Sequence, residues 1–253
     1  MPVRVFETMG TTVSLRSRLA VADDAIAAVV AVFAAHDHRY SLYRPQSELS
    51  SIASGRLALI DASDELRITY AAALEWRNRT GGAFTPHRPD GVIDLSGTVK
   101  AAAMRDAGEV LALAGVDDWC LNVGGDVLVS GRPDPGHPWV VGIVDPADRR
   151  MLLTSVSVSG PRTACATSGS AERGDHIWTR GATPSPFVQV TVVANDIEVA
   201  DVLATAVIAG GETTLDLVTR SFDIDVLTVD RVGELRATPG LREAIEGSGA
   251  LAA

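Results

Sequence analysis

Between Val199 and Ala209 the chain carries only two polar side chains, Asp201 and Thr205. The segment Ile197–Ala209 has the composition of a helix, and a helix that is apolar on all sides belongs in a core. Positions four apart differ by about 40° of helical rotation, so the carboxylate and the hydroxyl share one face. A buried carboxylate is costly unless it is paired or coordinates a cation. Two arrangements meet that demand. In one, the two oxygens hold a hard ion such as Mg²⁺, which keeps waters and shares substrate phosphates. In the other, Thr205 bonds back to a helix carbonyl while Asp201 pairs with an arginine.

The rest of the chain must build a core around this helix, and 253 residues suffice for a sizeable one. Val3–Glu7 and Thr12–Arg16 alternate with period two around Met9-Gly10, which predicts an opening hairpin. Asp23-Asp24 start a helix over Ala25–Ala35, followed by a structured loop from His36 to Ser51. A second helix covers Leu66–Arg79 and stops at Gly81-Gly82; a third runs Val99–Leu113 and ends at Gly115. Short strands are expected at Val92–Leu95, Trp119–Val123, Val127–Val129, Trp139–Val144, Leu152–Val158, Phe187–Val193 and, last, Ile224–Val229. Thr213–Arg220 reads as a further helix. Strands that follow one another through tight turns favour a mixed α+β fold, largely antiparallel, over a regular parallel βαβ sheet. No linker or repeat divides residues 1–253, so one domain is expected, with a frayed tail after Gly247.

The formal net charge of −10 argues against a basic stripe for nucleic acid. No run of 18 apolar residues and no signal-peptide pattern is present, which reads as a cytoplasmic chain without a membrane span. Cys120 and Cys165 lie in apolar surroundings, without metal-ligand spacing. Of the 22 basic residues, 21 are arginine, and Lys100 is the sole lysine. It follows Asp94-Leu95-Ser96-Gly97, where a strand hands over to a helix. Helix-start N–H groups with a nearby lysine form a phosphate-binding corner; a plain junction with a solvated lysine is the alternative. A retained lysine suggests a task that the rigid fork of arginine cannot perform.

Three glycine-bearing turns invite ligand approach: Thr80–Phe84, Asn122–Asp126 and Ala166–Gly169. His176 beyond the last of them is a candidate general base. Neither a dinucleotide-binding nor a P-loop signature occurs.

In order along the chain, these motifs resemble the ApbE family of FAD:protein FMN transferases. Met9-Gly10-Thr11 is similar to the family's opening M-G-T, and Ser41–Ser50 to its S-x-Y-x-P-x-S-E-L-S segment. Thr80–Phe84 resembles T-G-G-A-F, Asp94–Lys100 resembles D-L-G-G-I-A-K, and Val123–Asp126 resembles the G-G-D strand. Ala166–Gly169 matches A-T-S-G, and Ala200–Thr205 matches A-D-A-L-S-T. The resemblance implies an α+β fold that takes FAD as donor and Mg²⁺ as cofactor. It implies transfer of FMN to a Ser or Thr of an acceptor flavoprotein, with release of AMP. Asp201 and Thr205 would hold the metal with a carbonyl from Gly97, and Asp201 and His176 would carry catalysis. Met9, Tyr43, Glu48, Leu49, Ser50, Lys100 and Thr167 would contact the nucleotide. This sequence departs from the pattern at Thr85, Ala102 and Arg105, and Trp178-Thr179-Arg180-Gly181 follows His176-Ile177 in place of D-P-x-T-G. FAD pyrophosphatase activity and non-catalytic FAD binding are the alternatives.

Overall fold

The computed structural model describes residues 1–158, 160–169 and 184–247. Eight strands form one antiparallel sheet. Their order is β1 (Val3–Thr8), β2 (Thr11–Ser17), β3 (Trp119–Val123), β4 (Asp126–Ser130), β7 (Ala164–Gly169), β8 (Phe187–Ala194), β9 (Asp225–Asp230) and β10 (Leu235–Ala237). A separate antiparallel pair consists of β5 (Trp139–Val144) and β6 (Leu152–Val158). The helices are α1 (Asp23–Tyr40), α2 (Glu48–Ala53), α3 (Asp64–Arg79), α4 (Ser96–Leu113), α5 (Ile197–Ser221) and α6 (Pro239–Gly247).

Tight turns set this antiparallel order. Met9 and Gly10 join β1 to β2 at φ of 49° and 70°, and Gly124 and Gly125 join β3 to β4 at 60° and 102°. Two-residue turns with positive φ match the twist of the strands they connect. The two hairpin tips lie side by side, with the Gly124 N–H donating to the Thr12 carbonyl at 3.1 Å. A Cβ on residue 124 would stand 2.5 Å from Thr11 Oγ1, so glycine is needed there for space as well as for φ.

The period-two pattern of the strands builds two cores on opposite faces of the sheet. Ala164, Ala166, Val192 and Val226 face the larger one, which also holds apolar residues of α1, α3, α4 and α5. Val127, Cys165, Val193 and Leu227 face the smaller one, closed by the β5–β6 pair and Leu241 of α6. Helix α5 packs on β7, β8 and α4. It is long and apolar enough to cross a membrane by length and composition, and half of that stretch is buried inside this fold. Gly211, at φ 66° and ψ −151°, breaks the helix at the boundary between the two helices expected from sequence.

The mixed, antiparallel α+β class holds, and several element readings need correction. The segment 36–51 is not all loop, because α1 continues to Tyr40 and Ser47 caps α2 by accepting from the Ser50 N–H. Val92–Leu95 is not a strand, since Ile93 makes only an isolated bridge to His87. Ala164–Gly169 is a full strand, paired with β8 along its length rather than turning. β9 is not the last strand, because β10 follows it, and α6 after that. The tail after Gly247 lies outside the described residues.

Candidate active site

Both hairpin tips open onto a cleft of about 1300 Å³. Met9–Thr12 and Gly124-Gly125 form one wall and Ser41–Arg44 a second; Ala83–Thr85, Asp94 and the start of α4 form a third. Thr205 and Ala209 of α5 lie at its base, and Arg149 reaches it from the β5–β6 loop. Met9 is the only non-glycine residue with positive φ among the described residues. For a side chain of this size such a backbone is strained, and it sets Met9 in the cleft wall.

Helix α4 starts at Ser96, three residues before the expected position, which puts Lys100 one turn inside it. Asp94 Oδ1 accepts from the Ser96 N–H at 2.9 Å, so a carboxylate already takes one of the helix-start amides. Lys100 is not solvated. Its ammonium forms an ion pair with Asp126 Oδ2 and stands 3.4 Å from Asp201 Oδ2, and both carboxylate side chains are only 2% exposed. Asp126 Oδ1 in turn accepts from the Thr167 N–H at 3.1 Å. Asp201 Oδ2 is buried, with no hydrogen-bond partner among the described residues. Thr205 pairs with Ser168 Oγ at 3.0 Å, and Asp201 meets a lysine in place of the arginine considered from sequence.

These atoms suit a hard cation. Among the described residues nothing fills one acceptor position of the Asp201 carboxylate, and Thr205 and Gly97 line the cleft with further oxygens to offer. Among the described residues no three His, Cys, Asp or Glu side chains cluster as a metal set, so a cation here would depend on mixed oxygen ligands. Gly97 also has a packing reason to be glycine: a Cβ there would stand 2.8 Å from Phe84 Cε2.

The structure thus brings Met9, Tyr43, Gly97, Lys100 and Thr205 to one cleft, with Asp201 directly behind Lys100. Thr167 is absent from the cleft lining, its hydroxyl pairing with Thr191 Oγ1 at 2.8 Å. Glu48, Leu49 and Ser50 are absent from the cleft lining. Glu48 accepts from the Ser63 N–H and hydroxyl at 2.5 and 2.8 Å, Leu49 is in the core, and Ser50 Oγ donates to the Ser41 carbonyl at 3.1 Å. Their side chains anchor the loop that forms the second wall. Of the departures from the family pattern, Thr85 lines the cleft, whereas Arg105 pairs with Asp106 and Glu198. His176 lies outside the described residues. Sequence reasoning passed over Asp126 as a site residue; its signal was an acid directly after two glycines, before the apolar run Val127-Leu128-Val129. Burial pushes the Cys165 thiol up to about 12 and that of Cys120 up to about 11, so neither supplies a thiolate near neutral pH.

The family model described as ApbE family matches residues 9–88 and 87–228. A curated FAD:protein FMN transferase of Rhodobacter capsulatus is 33% identical over 183 residues, which cover 66% of this chain and 34% of that protein. The matched stretch is therefore about a third of that relative's length. The ApbE protein of Thermotoga maritima superimposes with a TM-score of 0.79 at 19% identity, over 96% of this chain and 99% of that one. The flavin transferase ApbE of Vibrio cholerae gives 0.77 at 20% identity, over 96% and 98%. The apo form of Pseudomonas stutzeri flavinyl transferase ApbE gives 0.77 at 22% identity, over 96% and 97%. With the family model spanning most of the chain, this protein belongs to the ApbE family.

Proposed function

We propose that the protein is a Mg²⁺-dependent FAD:protein FMN transferase. The observation that carries this reading is a cleft of about 1300 Å³ ending on a buried lysine–carboxylate cluster with Thr205 beside it. Drug-sized ligands fill about 300–1,000 Å³, so this cleft has room for a dinucleotide. Although the chain has a net charge of −10, Arg44, Arg88, Arg149 and Lys100 line this space beside Asp37 and Asp94, so cationic side chains stand where a pyrophosphate would lie.

The residues divide the work. The Met9–Thr12 and Gly124-Gly125 tips and the Ser41–Arg44 loop hold and orient the dinucleotide. Asp201, Thr205 and the Gly97 carbonyl would hold Mg²⁺, which when bound neutralises charge developing on phosphoryl oxygens. The acceptor hydroxyl oxygen forms a bond to the phosphorus on the FMN side. The bridging P–O bond breaks, and AMP leaves with the bridging oxygen. The hydroxyl proton needs a base, the role that the family resemblance gives to His176.

The test is incubation of purified protein with FAD, Mg²⁺ and a co-expressed Ser/Thr acceptor flavoprotein. In-gel flavin fluorescence on the acceptor together with chromatographic AMP release is the expected outcome. AMP and free FMN without labelled acceptor would show a pyrophosphatase. FAD binding with no AMP would show a binding module.

A further inference from the structure

The sheet is covered unequally on its two faces, and the cleft reaches the less covered one. We infer that the open face of β1 and β2 is the docking surface for the acceptor protein, whose Ser- or Thr-bearing segment enters the cleft past Ser14 and Asn122. This deepens the transferase reading and rests on it.

The β5–β6 pair closes the smaller core over Val127 and Val129 of β4, Cys165 of β7, Val193 of β8 and Leu227 of β9. Among the described residues no side chain of β1 or β2 belongs to that core. Alternation turns Ser14 and Arg16 away from Val13 and Leu15, and Val3 and Val5 away from Phe6, all three of which pack in the larger core. The register sets Val3 opposite Arg16, Val5 opposite Ser14, and Ser14 opposite Asn122. Val3 and Val5 are 48% and 65% exposed. A solvated sheet face ordinarily carries polar side chains at such positions, so two outward valines on one strand suit a face that a partner covers.

This face is continuous with the cleft. Ser14 and Asn122 line it, as do Lys100 and Thr205, which belong to helices on the opposite face of the sheet. The cleft thus reaches both faces around the hairpin tips. Two openings suit two substrates: in phosphoryl transfer the attacking and leaving oxygens stand roughly in line through phosphorus, so acceptor and departing nucleotide need opposite approaches. The helix side is walled by Ser41–Arg44, Ala83–Thr85 and α4, as a bound dinucleotide requires. The other side runs out along β2 as an open strand surface, which an extended polypeptide can follow.

Charge defines the partner further. Arg16 is exposed and makes no ion pair among the described residues. Glu7, the one acid of β1 and β2, lies at the other end of the face, opposite Thr12. The acceptor segment is therefore an extended, partly apolar stretch with an acidic residue placed over Arg16.

Val5→Asp and Arg16→Glu test this, since neither residue lines the cleft. Steady-state transfer to the acceptor flavoprotein of the assay above should show KM for the acceptor raised at least about tenfold in each, with kcat at saturating acceptor unchanged. FAD affinity, from quenching of flavin fluorescence, should stay at the wild-type value. Ile68→Asp on α3, at a site 68% exposed, is the control and should leave KM unaltered. Melting temperatures show which variants fold, and Arg16→Glu carries the test alone if Val5→Asp does not. An acceptor KM unchanged in the folded variants, or raised equally by Ile68→Asp, overturns the docking face and leaves the transferase standing. FAD affinity that falls in step with KM assigns the face to the dinucleotide and likewise overturns it. Absence of acceptor labelling by wild type overturns the transferase reading and the docking face together.

Discussion

Among the described residues, two places set one cation between two aspartates, and they are built differently. On the edge of the smaller core, Arg162 donates from Nε to Asp225 Oδ2 at 2.9 Å and from Nη2 to Asp223 Oδ1 at 2.7 Å. Its Nη1 donates to the Asp223 carbonyl at 2.8 Å. Each of the three guanidinium nitrogens is engaged, and Asp223 is exposed to water at 84% of its side chain. In the cleft, Lys100 has no fork, its two acids are almost wholly buried, and one carboxylate oxygen of Asp201 lacks a hydrogen bond among the described residues. Fully engaged, solvated pairing fixes a loop in place. Unsaturated, buried pairing leaves a site that a ligand can take over.

The largest expected contrast is in turnover. Asp201→Ala should lower AMP release from FAD by about 10²–10³-fold, the usual loss when one group stabilising transition-state charge is removed. The same change should not lower the melting temperature measured without Mg²⁺, because the ion pair of Lys100 with Asp126 is kept. Arg162→Met should leave AMP release unchanged. A loss of turnover in Arg162→Met equal to that in Asp201→Ala would erase the distinction between the two clusters.

Stability should separate them in the same direction. Lys100→Met removes the ammonium that pairs with the buried Asp126 and Asp201 carboxylates, and removing one partner of a buried pair costs about 3–5 kcal/mol. Denaturant unfolding without Mg²⁺ reads this directly. A cost below about 1 kcal/mol would mean that the acids are relieved by something other than the lysine.

How much of this was open to sequence reading differs between the same two regions. The hairpins, α5 and the shared face of Asp201 and Thr205 were legible, because periodicity and turn chemistry are local signals. Lys100 was legible as an oddity of composition, but its partner Asp126 was not: the pair forms only when α4 lies beside the β3–β4 hairpin. The family resemblance brought the motifs together without stating which side chains reach the cleft. Glu48 and Ser50 sit in such a motif, yet their side chains secure Ser63 and Ser41. β7 was missed because Ala164–Gly169 has small residues of weak strand preference; β4 and β8, pairing on either side, impose the extended form. The helix cap at Ser47 was hidden by the neighbouring proline and serines, which resemble a loop.

Gly97→Ala offers a smaller perturbation of the cleft alone. The new Cβ would meet the Phe84 ring at 2.8 Å, and overpacking of this kind costs about 1–3 kcal/mol. The change falls in the first turn of α4, so FAD binding should weaken along with stability, as titration calorimetry would show. An alanine tolerated without either effect would mean that Phe84 is free to move and that the third wall of the cleft is soft.

The smallest effect belongs to the Arg162 cluster, and its pH dependence has a definite sign. Hydrogen bonding to Arg162, followed by its charge, holds the Asp223 carboxyl below the usual carboxylate range. A depressed folded-state value contributes stability that is present above the unfolded value near 3.9 and is lost as pH falls through the folded one. Arg162→Met should therefore lower the melting temperature at pH 7 by only a few degrees, the scale of a minor surface interaction in a domain of this size. That difference from wild type should shrink as pH is lowered below about 4 and Asp223 becomes protonated, leaving the part that the bonds to Asp225 and to the Asp223 carbonyl supply. Differential scanning calorimetry of wild type and variant between pH 3 and 7 measures it. A difference that persists unchanged at pH 3 would show that Arg162 acts through packing of its stem and its bond to the Asp223 carbonyl, which does not titrate. The fork would then be a mechanical clamp, and its resemblance to the cleft cluster would be one of composition alone.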